Sequence, residues 1–159
     1  MISIRTARSE DGALVYALVR ELAEYEKLLH AVDATEAMIC EALFGDQPRA
    51  FCDIVSWKGE DAGLALWFYN FSTFRGRHGI FLEDLFVRPA FRGKGLGKAL
   101  LVHLAKRCVS EGLARFEWSV LNWNEPSIAF YKAMGAQMLD AWTGCRVSDE
   151  ALVRLAGSQ

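Results

Sequence analysis

Apolar and polar residues alternate from Ile2 to Ala7, the period of a strand with one buried face. The period then lengthens to that of a helix: Leu14, Leu18, Leu22 and Tyr25 share a stripe, with Asp11 placed to cap its start. Thr35 opens a second, shorter helix that Gly45 should stop. "RAFCDIVSW", the polar bend "KGED" and "AGLALWFYNF" predict two antiparallel strands joined by a hairpin, the second apolar enough to be buried on both faces. "STFRGRHG" reads as a loop, and "IFLEDLFV" as a strand closed by Pro89, which cannot donate to a continuing ladder.

A helix from about Leu96 to Glu111 follows, with Gly112 as its terminator, and "ARFEWSV" returns as a strand. Strand, helix and strand at this spacing form a crossover unit, so the two strands run parallel. Asn124 is placed to cap "EPSIAFYKAMG", a helix with Pro126 in its first turn and Gly135 past its end. "AQMLDAWTGCRV" predicts two short strands, and "SDEALVRL" a helical turn or two. The expected fold class is α/β (α+β): one domain over residues 1–159, with a mixed, mostly antiparallel sheet, helices on both faces and a parallel strand pair in its middle.

Composition narrows the function without naming it. At 159 residues the chain is the size of one ordinary domain, and 10 Phe and 5 Trp supply large core pieces. A formal charge of −2 gives no general attraction to nucleic acid or to an anionic membrane, so any anion site must be local. No apolar run approaches the ~18 residues of a membrane span, and "MISIRTARSEDG" lacks the long apolar stretch of a signal peptide, which gives a cytoplasmic expectation. Cys40, Cys52, Cys108 and Cys145 show no metal-ligand spacing, and free, mostly buried thiols are expected.

One segment carries local charge in a form that chemistry can use. "RGKGLGK" places Gly93, Gly95 and Gly97 among Arg92, Lys94 and Lys98 where a helix begins, and a helix start has about four backbone N–H groups without intrahelical partners. Glycines let an anion approach that backbone, and the cations add full charge around it. A nucleotide-triphosphate loop would need glycine at Arg92 and a hydroxyl at Ala99; a dinucleotide fingerprint would need glycine at Lys98 or Leu100. Neither pattern fits, whereas R-x-x-G-x-G does, through Arg92, Gly95 and Gly97.

That segment resembles the acetyl-coenzyme A binding bend of the GCN5-related N-acetyltransferase (GNAT) superfamily. "ELAEYE", "FLEDLFV" and "WNEPSIAFYKAMGA" extend the likeness over essentially the whole chain, toward the spermidine/spermine and thialysine N-acetyltransferase branch. The resemblance implies that Arg92, Gly93, Lys94, Gly95, Leu96, Gly97 and Lys98 wrap the cofactor's diphosphate. Phe86 and Val87 would lend backbone groups to its pantetheine arm, as a missing neighbour strand would. It also implies cofactor contacts from Asn124 and Ser127, a bulge in the "IFLEDLFV" strand, Glu83 as a base acting through water, and Tyr131 as general acid.

The residues themselves leave alternatives. By simple alternation Glu83 and Asp84 point to opposite faces, one toward a substrate and the other structural. Asn124 is also a complete helix cap, and Tyr131 fits apolar packing beside Ile128, Phe130 and Met134. Glu26 matches one acid of the branch's amine pocket, while Thr143 and Cys145 stand where polyamine members carry glutamate and tryptophan. Arg75, Arg77 and His78 replace an acidic loop; added cations disfavour a polycation, and Arg75 could instead take the carboxylate of an amino acid or stay solvated. The resulting expectation is an acetyl-CoA-dependent enzyme acting on a small-molecule amine, lysine-like ahead of spermidine. A homodimer is implied, to which Trp142 could contribute. A non-catalytic acetyl-coenzyme A sensor and a protein acetyltransferase are the rival readings.

Overall fold

The computed structural model describes residues 1–159, which form two compact units, Met1–Leu121 and Asn122–Gln159. The first unit is built on a five-stranded sheet in the order β1 (Ile2–Thr6), β2 (Phe51–Trp57), β3 (Glu60–Ser72), β4 (Arg77–Val87) and β5 (Phe116–Trp118). β1 to β4 pair antiparallel, and β4 pairs parallel with β5, so the parallel pair lies at one edge of the sheet and not in its middle as expected, because no strand follows on the far side of β5. The β2–β3 hairpin turns on Lys58 and Gly59 alone, both at positive φ (51° and 86°), the turn whose twist matches the flanking strands.

Period 2 distributes the strand side chains between two layers. Cys52, Ile54, Leu64 and Phe86 bury against Val15, Leu18 and Leu22 of α1 (Gly12–Tyr25) and Leu43 of α2 (Glu36–Phe44). On the opposite face lies α3 (Leu96–Ser110), whose Leu96, Leu100, Leu101 and Leu104 are buried. There the carboxylate of Asp53, almost wholly buried, accepts a hydrogen bond from the Trp67 indole at 2.9 Å, which satisfies a polar group that burial would otherwise penalise.

Thr35 caps α2 as expected, its hydroxyl accepting from the Met38 N–H at 3.2 Å. Asp11 departs from expectation. Its carboxylate makes two hydrogen bonds with Arg5, at 2.6 and 2.9 Å, and accepts from the Arg8 N–H at 2.7 Å, and its side chain caps no N–H of α1. A bidentate ion pair to the neighbouring strand is the stronger bond, and it holds the Asp11 carboxyl below the ordinary carboxylate range. Tyr25, read as part of the buried stripe, is exposed at 38%.

The second unit contains α4 (Glu125–Ala133) and α5 (Asp149–Ala156). The two short strands expected in "AQMLDAWTGCRV" are absent: residues 137–147 carry no strand, and Leu139 and Trp142 are exposed. A strand needs a neighbouring ladder, and this unit holds only helices beside the segment.

Of the four free cysteines, Cys52 and Cys108 are buried, but Cys40 is intermediate and Cys145 exposed, so the mostly buried expectation fails for Cys145. Burial pushes the Cys52 thiol up to about 12. Iodoacetamide on the native protein should therefore label Cys145 and spare Cys52 until denaturant is added, read by peptide mass spectrometry. Labelling of Cys52 in the native state would contradict this packing.

Candidate active site

β4 is the element around which the site is built. Leu66 pairs with Asp84 and Trp67 with Leu82, so Glu83 is an extra residue with no partner on β3: a β-bulge. The insertion reverses the side-chain phase of everything after it. Leu82 shares the α3 face with Trp67, whereas Asp84 and Phe86 share the α1 face with Leu66 and Leu64. Without the bulge Asp84 would project beside Leu82 toward α3. With it, Asp84 comes to the same side of the sheet as Glu26, the residue that caps the end of α1.

Those acids feel one another. Burial, and then the charges of Glu83 and Glu26, lift the Asp84 carboxyl from its ordinary range to about 7, and burial also raises Glu26. Glu83 itself is exposed. Acids gathered at a strand irregularity, one of them titrating near neutrality, suit attraction of a cation and acceptance of its proton.

The bulge also ends the parallel pairing. β4 and β5 are in register only at Ile80–Phe116, Phe81–Glu117 and Leu82–Trp118, so β5 is shorter than the sequence suggested and stops level with the residue before Glu83. Residues 83–87 continue with no β5 residue beside them. That stretch is a place where an extended molecule can pair as an added strand: the register that bonds Arg88 N–H to Ala62 O turns the N–H and C=O of Phe86 toward Leu64 on β3 and leaves those of Leu85 and Val87 facing the open edge, so of the two residues expected to lend backbone only Val87 does.

Immediately beyond lies the glycine bend. Gly93 and Gly95 hold φ of 77° and 83°, a region that side chains other than glycine enter at a cost of roughly 1–3 kcal/mol, and open space surrounds the position of a Cβ on either one. Gly95 caps α3 without any side-chain hydrogen bond, and the first intrahelical bond from the bend runs from Ala99 N–H to Gly95 O. The N–H groups of Leu96, Gly97 and Lys98 therefore open the helix at its positive end, with no acidic residue in the first turn. Lys98 is exposed, and the Lys94 ammonium lies 5.6 Å from the Trp57 ring centroid. Arg92 Nε donates to Val87 O at 2.9 Å, and the guanidinium lies 4.7 Å over the Tyr25 ring. These features fit a diphosphate: free amides, flanking cations and no side chain in the cradle.

The structure thus brings Glu26, Glu83, Asp84, Phe86, Val87 and residues 92–98 into one region of the first unit. Arg75 is not among them. It sits in the turn between Ser72 and Arg77, and the six residue steps from Arg77 to Glu83 cover roughly 20 Å at strand rise, so within one chain Arg75 does not reach the bulge. In the second unit Asn124 caps α4, its Oδ1 accepting from the Ser127 N–H at 3.3 Å, and Tyr131 is buried in α4 with its ring 5.5 Å from that of Phe130. Sequence reasoning missed Arg88, which grips Glu21 of α1 through two hydrogen bonds of 3.0 and 2.9 Å, and the aromatic seats of Arg92 and Lys94.

Asp84 gives a pH test of the acid cluster. Its pKa is raised on folding, so between about pH 4 and pH 7 the folded state holds a proton that the unfolded state has lost, and stability falls as pH rises through that window. Asp84→Asn should gain stability over the wild type as pH rises from 4 to 7, and keep that gain above it, as measured by urea unfolding. A pH-independent difference would place Asp84 in an ordinary solvated setting.

Comparison with known proteins agrees with this geometry. The profile of the Acetyltransferase (GNAT) family matches residues 14–136. The chain is 36% identical to thialysine N-epsilon-acetyltransferase of Bos taurus, over 98% of each chain. It is 30% identical to L-ornithine N5-acetyltransferase of Arabidopsis thaliana, over 94% of this chain and 85% of that one. Among solved structures, an integron cassette protein from the mobile metagenome of V. cholerae shares the fold with a TM-score of 0.81 at 24% identity, covering 99% and 98% of the two chains. With sequence, fold and the bend at the start of α3 in agreement, the chain belongs to the acetyltransferase (GNAT) family and is an N-acetyltransferase.

Proposed function

We propose that this enzyme moves an acetyl group from acetyl-coenzyme A directly to the primary amine of a small molecule, a thialysine- or lysine-like amino acid ahead of a polyamine. The observation that carries the reading is the bulge at Glu83, which sets an acidic cluster beside an open strand edge that leads into a phosphate-suited bend. Relatives named for thialysine and ornithine support an amino-acid amine. The family match runs across the boundary after Leu121, which supports one working domain over residues 1–159.

The chemical problem is protonation. An amine of pKa ~10.4 is neutral in only about one molecule in a thousand at pH 7.4, a barrier of roughly 4 kcal/mol if nothing assists. In this reading Asp84 and Glu26 attract the ammonium, and Glu83, exposed at the bulge, takes its proton through a water molecule. The cofactor supplies the activated acyl thioester. The N–H groups of residues 96–98, with Arg92, Lys94 and Lys98, hold its diphosphate, and Gly93, Gly95 and Gly97 keep that backbone accessible. Val87, with Leu85, would pair with the pantetheine arm through outward backbone groups while Phe86 anchors the strand in the core, Asn124 and Ser127 would contact the arm, and Tyr131 would give a proton to the departing sulfur. The reading includes a homodimer in the cytoplasm; no helix is long and apolar enough to cross a membrane.

Release of free thiol from acetyl-coenzyme A, followed with lysine, thialysine, ornithine, spermidine, putrescine and a short peptide, tests the substrate class. Turnover is expected with the amino acids first. Turnover of the peptide alone would favour a protein acetyltransferase, and tight cofactor binding without turnover of any amine a sensor. Glu83→Gln and Tyr131→Phe should each lower kcat about a hundredfold, with cofactor affinity changed less than about threefold. An unchanged rate in either variant would remove that residue from the mechanism.

A further inference from the structure

Two arginines four positions apart meet two α1 residues four positions apart. Arg88 binds the Glu21 carboxylate at 3.0 and 2.9 Å and also donates to Asp61 O at 3.3 Å. Arg92 donates through Nε to Val87 O and lays its guanidinium over Tyr25, 4.7 Å from the ring centroid, with Phe86 at 5.7 Å. Glu21 and Tyr25, at i and i+4, stand one above the other on one face of α1. Between the arginines the chain makes a single tight turn, Pro89–Phe91. The last turn of α1 is therefore attached at two points to the segment that leads from the strand edge into the glycine bend.

Glu26 is the next residue along. It closes α1, and Lys27 follows at φ 62°, so the chain turns away immediately after the acid. The position of Glu26 relative to the bend is set by the helix end that the two arginines grip. The seat suits Arg92 to a double role: the ring holds the guanidinium in place, and N–H groups beyond the one bonded to Val87 O can donate to an anion.

Resting on the function proposed above, we infer that Tyr25 is a positioning residue: its ring seats Arg92 for the cofactor's diphosphate while fixing the acid at position 26 for the amine. Arg88 and Glu21 brace the same helix turn. Anion binding at the bend then favours the arrangement that binds the amine, and the coupling acts equally in both directions. The Tyr25 ring face carries the effect.

The test uses Tyr25→Leu and Tyr25→Phe, each made in the wild type and in an Arg92→Gln background. Coenzyme A affinity is measured by calorimetry, and kcat and KM with thialysine as acceptor. Tyr25 is exposed at 38%, so its replacement leaves the core intact, which circular dichroism verifies. Tyr25→Leu should weaken coenzyme A binding and raise the thialysine KM, each by about tenfold, with kcat within about threefold. Tyr25→Phe, which keeps the ring, should stay within about twofold on both measures, and in Arg92→Gln the leucine change should add less than about twofold. The inference is overturned if Tyr25→Leu matches the wild type, if phenylalanine is as damaging as leucine, or if the leucine and Arg92→Gln losses multiply. Failure of the functional reading looks different: the wild type itself would bind no coenzyme A or turn over no amine, and both ideas would fall together.

Discussion

One extra residue in one strand organises this enzyme. Before Glu83 β4 is held on both sides, by β3 and by β5; after it only β3 remains. The insertion turns Asp84 and Phe86 to the α1 face, one to join Glu26 and the other to enter the core. It also stands where β5 stops, leaving a strand edge open. An open edge inside a protein is ordinarily a liability, and here it is short, five residues, and leads directly into a helix start.

Electrostatics divide the region into two sides. The chain carries a formal −2, so attraction of a highly charged anion must be local. The basic side combines unpaired helix amides with Arg92, Lys94 and Lys98, and two of those cations rest on aromatic rings. The acidic side gathers Glu26, Glu83 and Asp84, where burial and mutual repulsion move one carboxyl to about 7. The bidentate grip of Arg88 on Glu21 and the seat of Arg92 on Tyr25 join the two sides through α1.

Much of this was legible in the residues. The period of "ISIRTA", the glycines that end α2 and α3 and the strand–helix–strand spacing announced the sheet and its parallel pair, because local chemistry and tertiary structure agree there. The bend was legible because three glycines among cations have few other uses. The bulge was not readable from alternation, which puts Glu83 and Asp84 on opposite faces; it came only with the family resemblance. Tyr25 misled because an aromatic on an apolar stripe signals burial, while its partner lies 67 residues away as Arg92 and no local pattern connects them. Asp11 misled for a different reason: Arg5, six residues earlier on β1, competes with the helix N–H groups for its carboxylate. Arg75 lies beyond reach of the bulge within one chain, because β3 continues to Ser72 and β4 starts at Arg77, one and three residues outside the apolar runs that end at Phe71 and begin at Ile80.

Hydrogen–deuterium exchange with and without coenzyme A tests most directly whether the edge released by the bulge and the bend beyond it receive the cofactor. The account predicts added protection in two stretches, the outward β4 amides at Leu85 and Val87 and the helix-start amides of residues 96–98, with β2 unchanged. Saturating coenzyme A that leaves both stretches exchanging as in the free protein would contradict it.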